Sequence, residues 1–442
     1  MDAIRLPLGP LLGVLLALTA GGAQAEGLMD IYQLAAGNDP RILGAEAQRE
    51  AAQEALKQST ANFLPSINFS AGRTETNQNV TKSAFGPAFT GERSFNTTSY
   101  ALSLNLSLYN KDNYAARRLA KATASRADAE YEAARQELML RLAEAYFGVL
   151  AAQDNVEFAR AEQRAVKRQL DQTQQRFEVG LVAITDVHES RARYDLAEAE
   201  VINADNALDN SIETLRAITG SYPNQLAKLG DDITLARPDP EDIDQWTRTA
   251  LAQNPALLAR EAALKEARET VARQRSGHYP ALDLTANRFF DERGGIFANT
   301  TETVSVGVNL NLPLYAGGRT SSLVRQALHL QEASRQALEE QRRATQRQAR
   351  NAYLGVLSAI SRVKALKQAL MSNQSALRAA EAGYEVGTRT TVDVLLARRN
   401  LYSAQRDYAQ SRYDYILNSL RLQQAAGQLT VDSLKAISGW LR

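Results

Sequence analysis

Apolar residues along this chain recur with two different periods, and each period predicts a different element. In Tyr100-Ala101-Leu102-Ser103-Leu104-Asn105-Leu106-Ser107-Leu108 every second residue is apolar and the rest are small or polar. Val304-Ser305-Val306-Gly307-Val308-Asn309-Leu310-Asn311-Leu312-Pro313-Leu314 repeats the alternation. Period two over about ten residues is the length and pattern of a membrane-crossing strand with one face on lipid and one on a wet lumen. Partner strands are expected from Ile67 and from Leu282, where the alternation is less regular. Aromatic residues flank these segments: Phe63, Tyr109, Tyr279 and Tyr315 at one end, Phe95, Tyr100, Phe289 and Phe290 towards the other. Amphipathic rings favour a membrane boundary.

The second period is helical. Spacings of four and three join Leu138, Leu142, Ala145, Val149, Ala152, Val156, Ala159, Val166, Leu170 and Phe177 into one seam, interrupted only by Gln163 and Thr173. Val356, Val363, Leu366, Leu370, Leu377 and Tyr384 form a second seam of the same kind. This heptad pattern predicts coiled coil, and its many alanines let backbones approach closely. Asp112–Val179 and Gly318–Val386 contain no proline and predict helices of 68 and 69 residues. At about 1.5 Å per residue each is roughly 100 Å long. Each ends at a glycine, Gly180 or Gly387, followed by a returning helix over Ala183–Thr219 or Thr388–Ala426. Glycine just past a helix supplies the left-handed conformation that reverses the chain. Short helices at Leu28–Gly37 and about Ile243–Gln253 stop before Asp39-Pro40 and Asn254-Pro255, which cap and start further helices running to Phe63 and Tyr279.

These elements are written twice. Asn38-Asp39-Pro40 recurs as Gln253-Asn254-Pro255 at an offset of 215, and Ala145-Tyr146-Phe147-Gly148-Val149-Leu150 as Ala352-Tyr353-Leu354-Gly355-Val356-Leu357 at 207. Phe177-Glu178-Val179-Gly180 pairs with Tyr384-Glu385-Val386-Gly387, and Gly220 with Gly427, at that same offset. The register changes between the two strands of each unit, which marks a loop tolerant of insertion. The expected organisation is a first repeat over 26–220, a linker over 221–241, a second repeat over 242–427 and a terminal segment over 428–442. A proline-started helix and a returning helix laid end to end match one long helix. The layout is therefore a long antiparallel bundle beneath a four-stranded sheet.

Four membrane strands cannot close on themselves. An open sheet edge in hydrocarbon leaves amides unsatisfied at several kcal/mol each, and the smallest closed barrels use about eight strands. Two, three or more chains must share one barrel; about eight strands leave little lumen, whereas about twelve hold an open one.

Composition narrows the setting. Arg5, the apolar stretch Leu6–Ala20 and the small-residue exit Ala23-Gln24-Ala25 read as an export signal over residues 1–25, with Glu26 the expected mature start. Cysteine is absent, which removes disulfides, thiolate metal sites and a lipidated cysteine. The 51 basic and 50 acidic residues balance, so a phosphate-dominated nucleic-acid role is not expected. The rest of the chain has no run of about eighteen apolar residues that would make a membrane-spanning helix. His188, His278 and His329 lack ligand spacing, and no nucleophile elbow, phosphate loop or dinucleotide fingerprint occurs. No cofactor, metal or enzymatic activity is expected. Charged stretches such as Glu339-Glu340-Gln341-Arg342-Arg343 read as solvated coiled-coil faces.

The informative polar residues lie at the helix tips, where the repeats differ. Phe177 corresponds to Tyr384, Val182 to Arg389 and Thr185 to Val392. The first hairpin thus offers acceptors (Thr185, Asp186) and the second donors (Tyr384, Arg389), a complementarity able to fasten one hairpin to the other. A periplasmic coiled-coil adaptor is the competing reading, but it would carry one helical hairpin and no lipid-facing strands.

Gly180-Leu181-Val182-Ala183-Ile184-Thr185-Asp186-Val187, Tyr384-Glu385-Val386-Gly387-Thr388-Arg389-Thr390, Val392-Asp393-Val394-Leu395 and the duplicated Ala-Tyr segments resemble the TolC family of outer-membrane channels over essentially the whole chain after the signal. The resemblance implies a homotrimer with a twelve-stranded barrel in outer-membrane lipid, continued by an α-helical tunnel through the periplasm. It implies partners as well: a periplasmic adaptor and an inner-membrane ABC or RND-type transporter, in type I protein secretion or multidrug efflux. It places Thr185, Asp186, Tyr384 and Arg389 in a tip lock and Asp393 in a carboxylate ring around the closed aperture. Val179-Gly180-Leu181 and Val386-Gly387-Thr388 match tips that meet adaptor hairpins. One departure stands out: Leu396 occupies the place of a second aspartate, so the ring should hold three carboxylates instead of six.

Overall fold

A computed structural model describes residues 25–82, 84, 86, 90–230, 233–295 and 298–442. The expected export signal falls, apart from Ala25, outside the described residues. The element order is α1 (Leu28–Asn38), α2 (Pro40–Ala61), β1 (Ser66–Val80), β2 (Gly91–Asn110), α3 (Lys111–Glu178) and α4 (Ile184–Thr219). The second series follows as α5 (Ile243–Gln253), α6 (Pro255–Ser276), β3 (Ala281–Arg293), β4 (Asn299–Asn311), α7 (Arg319–Glu385) and α8 (Thr391–Ala425), and α9 (Val431–Ser438) ends the chain.

The strands form one antiparallel sheet in the order β1-β2-β3-β4. Its register separates two faces. Rows such as Ile67–Leu104–Ala286–Val306 and Phe69–Leu102–Arg288–Val304 carry the apolar side chains. The alternate rows, such as Asn68–Ser103–Asn287–Ser305, are polar. β3 therefore shares the period-two pattern more fully than its sequence suggests, because Leu282, Leu284, Ala286 and Phe290 fall on one side and Arg288 is answered by Glu302 at 2.6 Å on the neighbouring strand. Two corrections follow. β4 stops at Asn311 instead of continuing to Leu314, two residues before Pro313, which has no amide hydrogen to give a ladder. Of the outer-end aromatics, Tyr100 and Phe290 share the apolar face, with rings 6.1 Å apart, whereas Phe95 and Phe289 fall on the polar side. Phe95 is held there under the Arg293 guanidinium, 3.8 Å from its ring centre.

α3 and α7 have 68 and 67 residues, each about 100 Å long. Their neighbours are ordered across the wall. Near the sheet the order is α2, α3, α6, α7; away from it the order is α4, α3, α8, α7. β1, α2 and α4 thus lie along one edge of the protomer, and β4 and α7 along the other. α2 and α6 end at Ala61 and Ser276, earlier than Phe63 and Tyr279, since the residues after them turn into the strands. The first seam is buried from Leu138 to Thr173 except at Ala152 and Gln163, which are half-buried, and Phe177 is exposed. The second seam is buried at Val356 and Val363 and half-buried from Leu366 to Tyr384, as befits a helix packed on one side only.

The main core sits midway along the helices, where α1, α9 and the segment around Leu226 wrap the bundle. Leu28, Ile31, Tyr146, Phe147, Leu150, Leu215, Ile416, Leu420 and Leu434 are fully enclosed. Each large apolar side chain buried in this way contributes about 1.5–3 kcal/mol. The Tyr146 hydroxyl donates to the Ala227 carbonyl at 2.9 Å, which ties the linker to α3. No helix among the described residues is long and apolar enough to cross a membrane.

Candidate functional site: the helix tips

Both long helices end the same way. At the first tip Gly180, with φ +76°, donates to the Phe177 carbonyl at 2.9 Å and Leu181 to the Arg176 carbonyl at 2.8 Å. At the second, Gly387, with φ +78°, donates to Tyr384 at 3.2 Å and Thr388 to Gly383 at 2.8 Å. This glycine-centred double bond satisfies the last carbonyls of each helix and fixes the reversal. It also leaves Val179, Leu181 and Val386 more than two-thirds exposed at the extremity. Apolar side chains held outward on tight turns suit a partner that covers them.

The returning helices start differently. α8 has a reciprocal cap: Asp393 donates its amide to Thr390 Oγ1 at 3.2 Å, and its carboxylate accepts from the Thr390 amide at 2.9 Å. Those bonds and the nearby Arg389 hold the Asp393 carboxyl below the ordinary aspartate range. The matching position in α4 is Asp186, but Ala183 stands at its cap and supplies no side-chain acceptor. Arg389 lies 3.9 Å from Asp393. Among the described residues no bond within 4 Å joins Arg389 to Asp186 or Thr185 inside one protomer, so the expected fastening is not formed there. Arg389 precedes the Thr390 cap of α8, which places it beside Asp393 in the first turn of that helix.

Tyr384 is brought to the other hairpin by a different route. The Arg176 guanidinium lies 4.9 Å from its ring centre, and its hydroxyl is 3.4 Å from Thr391 Oγ1. Gly383 leaves room for the Arg389 stem, which a Cβ there would meet at 2.7 Å. Two further contacts, unforeseen in the sequence, join the hairpins higher up. Arg398 donates to the Ala165 carbonyl at 3.0 Å and to Glu381 at 2.7 Å, and the Tyr402 hydroxyl donates to the Ala161 carbonyl at 3.2 Å. The two donors stand four residues apart on α8 and face alanines on α3, whose small side chains leave the main-chain carbonyls open. No group of three or more metal-ligating side chains occurs among the described residues.

The outer membrane efflux protein family matches residues 31–221 and 246–428. The chain belongs to that family. It is 40% identical to outer membrane protein TolC of Vibrio cholerae over 95% of this chain and 94% of that one. TolC of Escherichia coli is 36% identical over 98% and 89%, and the alkaline protease secretion protein AprF of Pseudomonas aeruginosa 32% over 97% and 90%. The fold is shared with the Campylobacter jejuni CmeC outer membrane channel at a TM-score of 0.80 and 18% identity, covering 100% of this chain and 98% of that one. The protein is thus an outer-membrane channel of the TolC family, extending into the periplasm and of the kind that serves efflux or type I secretion. The adaptor reading is not favoured.

Proposed function

We propose that three copies join edge to edge into one duct, a twelve-stranded barrel continued by a helical tunnel, through which cargo leaves passively. The observation that carries this reading is the common order of the two layers. β1, α2 and α4 share one edge while β4 and α7 share the other, so one rotation closes sheet and helices together. The open edges of β1 and β4 demand partners in hydrocarbon. Leu196 and Ile202 on α4 and Leu330, Leu354 and Met371 on α7 stand exposed along the same two edges. Native mass spectrometry of the detergent-extracted protein should give three copies; a stable monomer would refute the shared barrel.

The tips are proposed as the gated periplasmic end. Val179, Gly180, Leu181, Val386, Gly387 and Thr388 would meet a periplasmic adaptor that couples the duct to an inner-membrane ABC or RND-type transporter. Thr185, Asp186, Tyr384 and Arg389 would hold the tips shut across neighbouring hairpins, and Asp393 would ring the aperture.

A further inference from the structure

We infer that a cleft between α2 and α3, just beneath the sheet, binds the headgroup of an anionic phospholipid in the periplasmic leaflet. The cleft encloses about 510 Å³ and is lined by Leu56, Lys57 and Thr60 on α2 and by Tyr114, Arg117, Arg118 and Lys121 on α3. Its floor is apolar and its rim basic.

The side of the molecule on which it opens follows from the register. Tyr109 stands opposite Leu282, on the apolar face of the sheet. Its ring is 6.5 Å from that of Tyr114, which in turn packs edge-on to Phe63 at 4.9 Å. Tyr114, Arg117, Arg118 and Lys121 then recur at three- and four-residue spacing, one stripe of α3 continuing that apolar face downward. An aromatic boundary followed by cations is the order expected on passing from hydrocarbon through headgroups to water. Arg117 lies seven residues past Asn110, about 10 Å along the helix axis. Helical side chains lean towards the helix N-terminus, which here is the membrane end, so both long cations reach up to the headgroup layer.

Charge supplies the second argument. Lys57 is answered by Glu54 at 2.5 Å and Arg118 by Glu269 at 2.9 Å. Arg117 and Lys121 have no carboxylate within 4 Å among the described residues. Two free cations one turn apart over an apolar floor fit a phosphate with its acyl chain directed upward past Tyr109 and the exposed Leu64. A free anion would leave the floor unused.

This inference rests on the reading that the apolar face meets lipid, and the test separates the two. The full-length channel is titrated in detergent with phosphatidylglycerol or with phosphatidylcholine of identical acyl chains, and bound lipid is counted by native mass spectrometry. Wild type should retain phosphatidylglycerol preferentially. Each basic group near an anionic surface favours binding about fivefold, so R117Q/K121Q should lower that retention by about tenfold or more. R117K/K121R should restore most of it. Equal retention of the two lipids, unchanged retention by R117Q/K121Q, or displacement by millimolar inorganic phosphate would each overturn the site. Those results in a protein that still inserts into membranes leave the barrel intact, whereas failure of the wild type to insert would sink the barrel itself.

Discussion

Arg141 grips Asp39 with both terminal guanidinium nitrogens, at 2.9 and 3.1 Å, while the same carboxylate caps α2 through the amides of Arg41 and Ile42. Asp39 is almost wholly enclosed. Its counterpart in the second repeat is Asn254, which caps α6 through Leu257 and donates to the Ala425 carbonyl at 3.0 Å; Gln348 stands where Arg141 would be. The two halves therefore fix the same helix junction with a charged pair in one case and neutral amides in the other.

The charged junction should be acid-sensitive. Burial alone would raise the Asp39 carboxyl, but Arg141 and the two amides outweigh it and hold the group below its ordinary value. A carboxyl depressed on folding contributes stability that is present above its unfolded value, near 3.9, and lost as pH falls through the lower folded one. Asp39→Asn should cost roughly 3 kcal/mol, because it leaves Arg141 partly buried without its counter-charge. Asp39→Asn with Arg141→Gln imitates the second repeat and should cost less than Asp39→Asn alone. Thermal unfolding of these two variants and of Arg141→Gln measures the coupling; an additive or larger loss in the double variant would count against a coupled pair.

Gly220 and Gly427 occupy matching places and share a left-handed backbone, φ +77° and +72°, yet their surroundings differ. A Cβ at Gly220 would meet only the Asn38 side chain, at 3.4 Å, whereas one at Gly427 would run into the Gln253 carbonyl. Gly220→Ala should cost about 1 kcal/mol for the left-handed conformation. Gly427→Ala should add about 1–3 kcal/mol of overpacking, since backbone must move. Equal thermal shifts for the two variants would show that the Gln253 approach is not tight in solution.

Much of this architecture could be read from periodicity. The alternation in Tyr100–Leu108, the alanine-rich seam from Leu138 and the glycines at 180 and 387 each state a local geometry that packing then respects. What escaped the sequence depends on neighbours. Phe95 and Phe289 read as boundary aromatics until the register turned them to the polar side. Arg398 and Tyr402 look like surface polar residues, because nothing along the chain shows that α8 lies against the carbonyls of Ala161 and Ala165. The contact of Arg389 with Asp393 escaped for the same reason: repeat complementarity points to Asp186 on the other hairpin, whereas within one protomer Arg389 lies 3.9 Å from Asp393.

The aperture should respond to cations and only weakly to acid. A carboxylate ring at a narrow mouth binds multivalent cations through its summed field. In planar bilayers a multivalent cation added on the periplasmic side should block conduction, and Asp393→Asn should relieve the block while retaining an acceptor for the α8 cap. Because the cap and Arg389 hold Asp393 below the ordinary range, block should persist as pH falls through about 4, where a free aspartate is half protonated. With Leu396 in place of a second carboxylate, the block should be weaker than in a channel with two rings. Block unchanged in Asp393→Asn would put the cation elsewhere.

The tip lock should behave as a competition for Arg389. Its contact with Asp393 is long and solvent-exposed, and surface pairs of that kind contribute little. Little therefore opposes transfer of the guanidinium to Asp186 of an adjoining hairpin when tips crowd together. A partly shielded charge-assisted bond there contributes about 1.5–3 kcal/mol, and the proposed trimer would repeat it three times. Losing even about 1–2 kcal/mol at each of three places moves a two-state gate from nearly always shut to often open. Arg389→Ser with Tyr384→Phe should accordingly raise single-channel conductance and admit large antibiotics, with the trimer intact. Tyr384→Phe by itself keeps the ring over which Arg176 sits and removes only the hydroxyl near Thr391, so its effect should be the smaller. Asp393→Asn supplies the opposite arm: without that carboxylate Arg389 is freed for Asp186, and the open fraction should fall. Asp186→Asn should reverse that gain. If the Arg389 and Tyr384 double variant conducts like wild type while folded and trimeric, or if Asp393→Asn opens the gate, Arg389 is not its fastening.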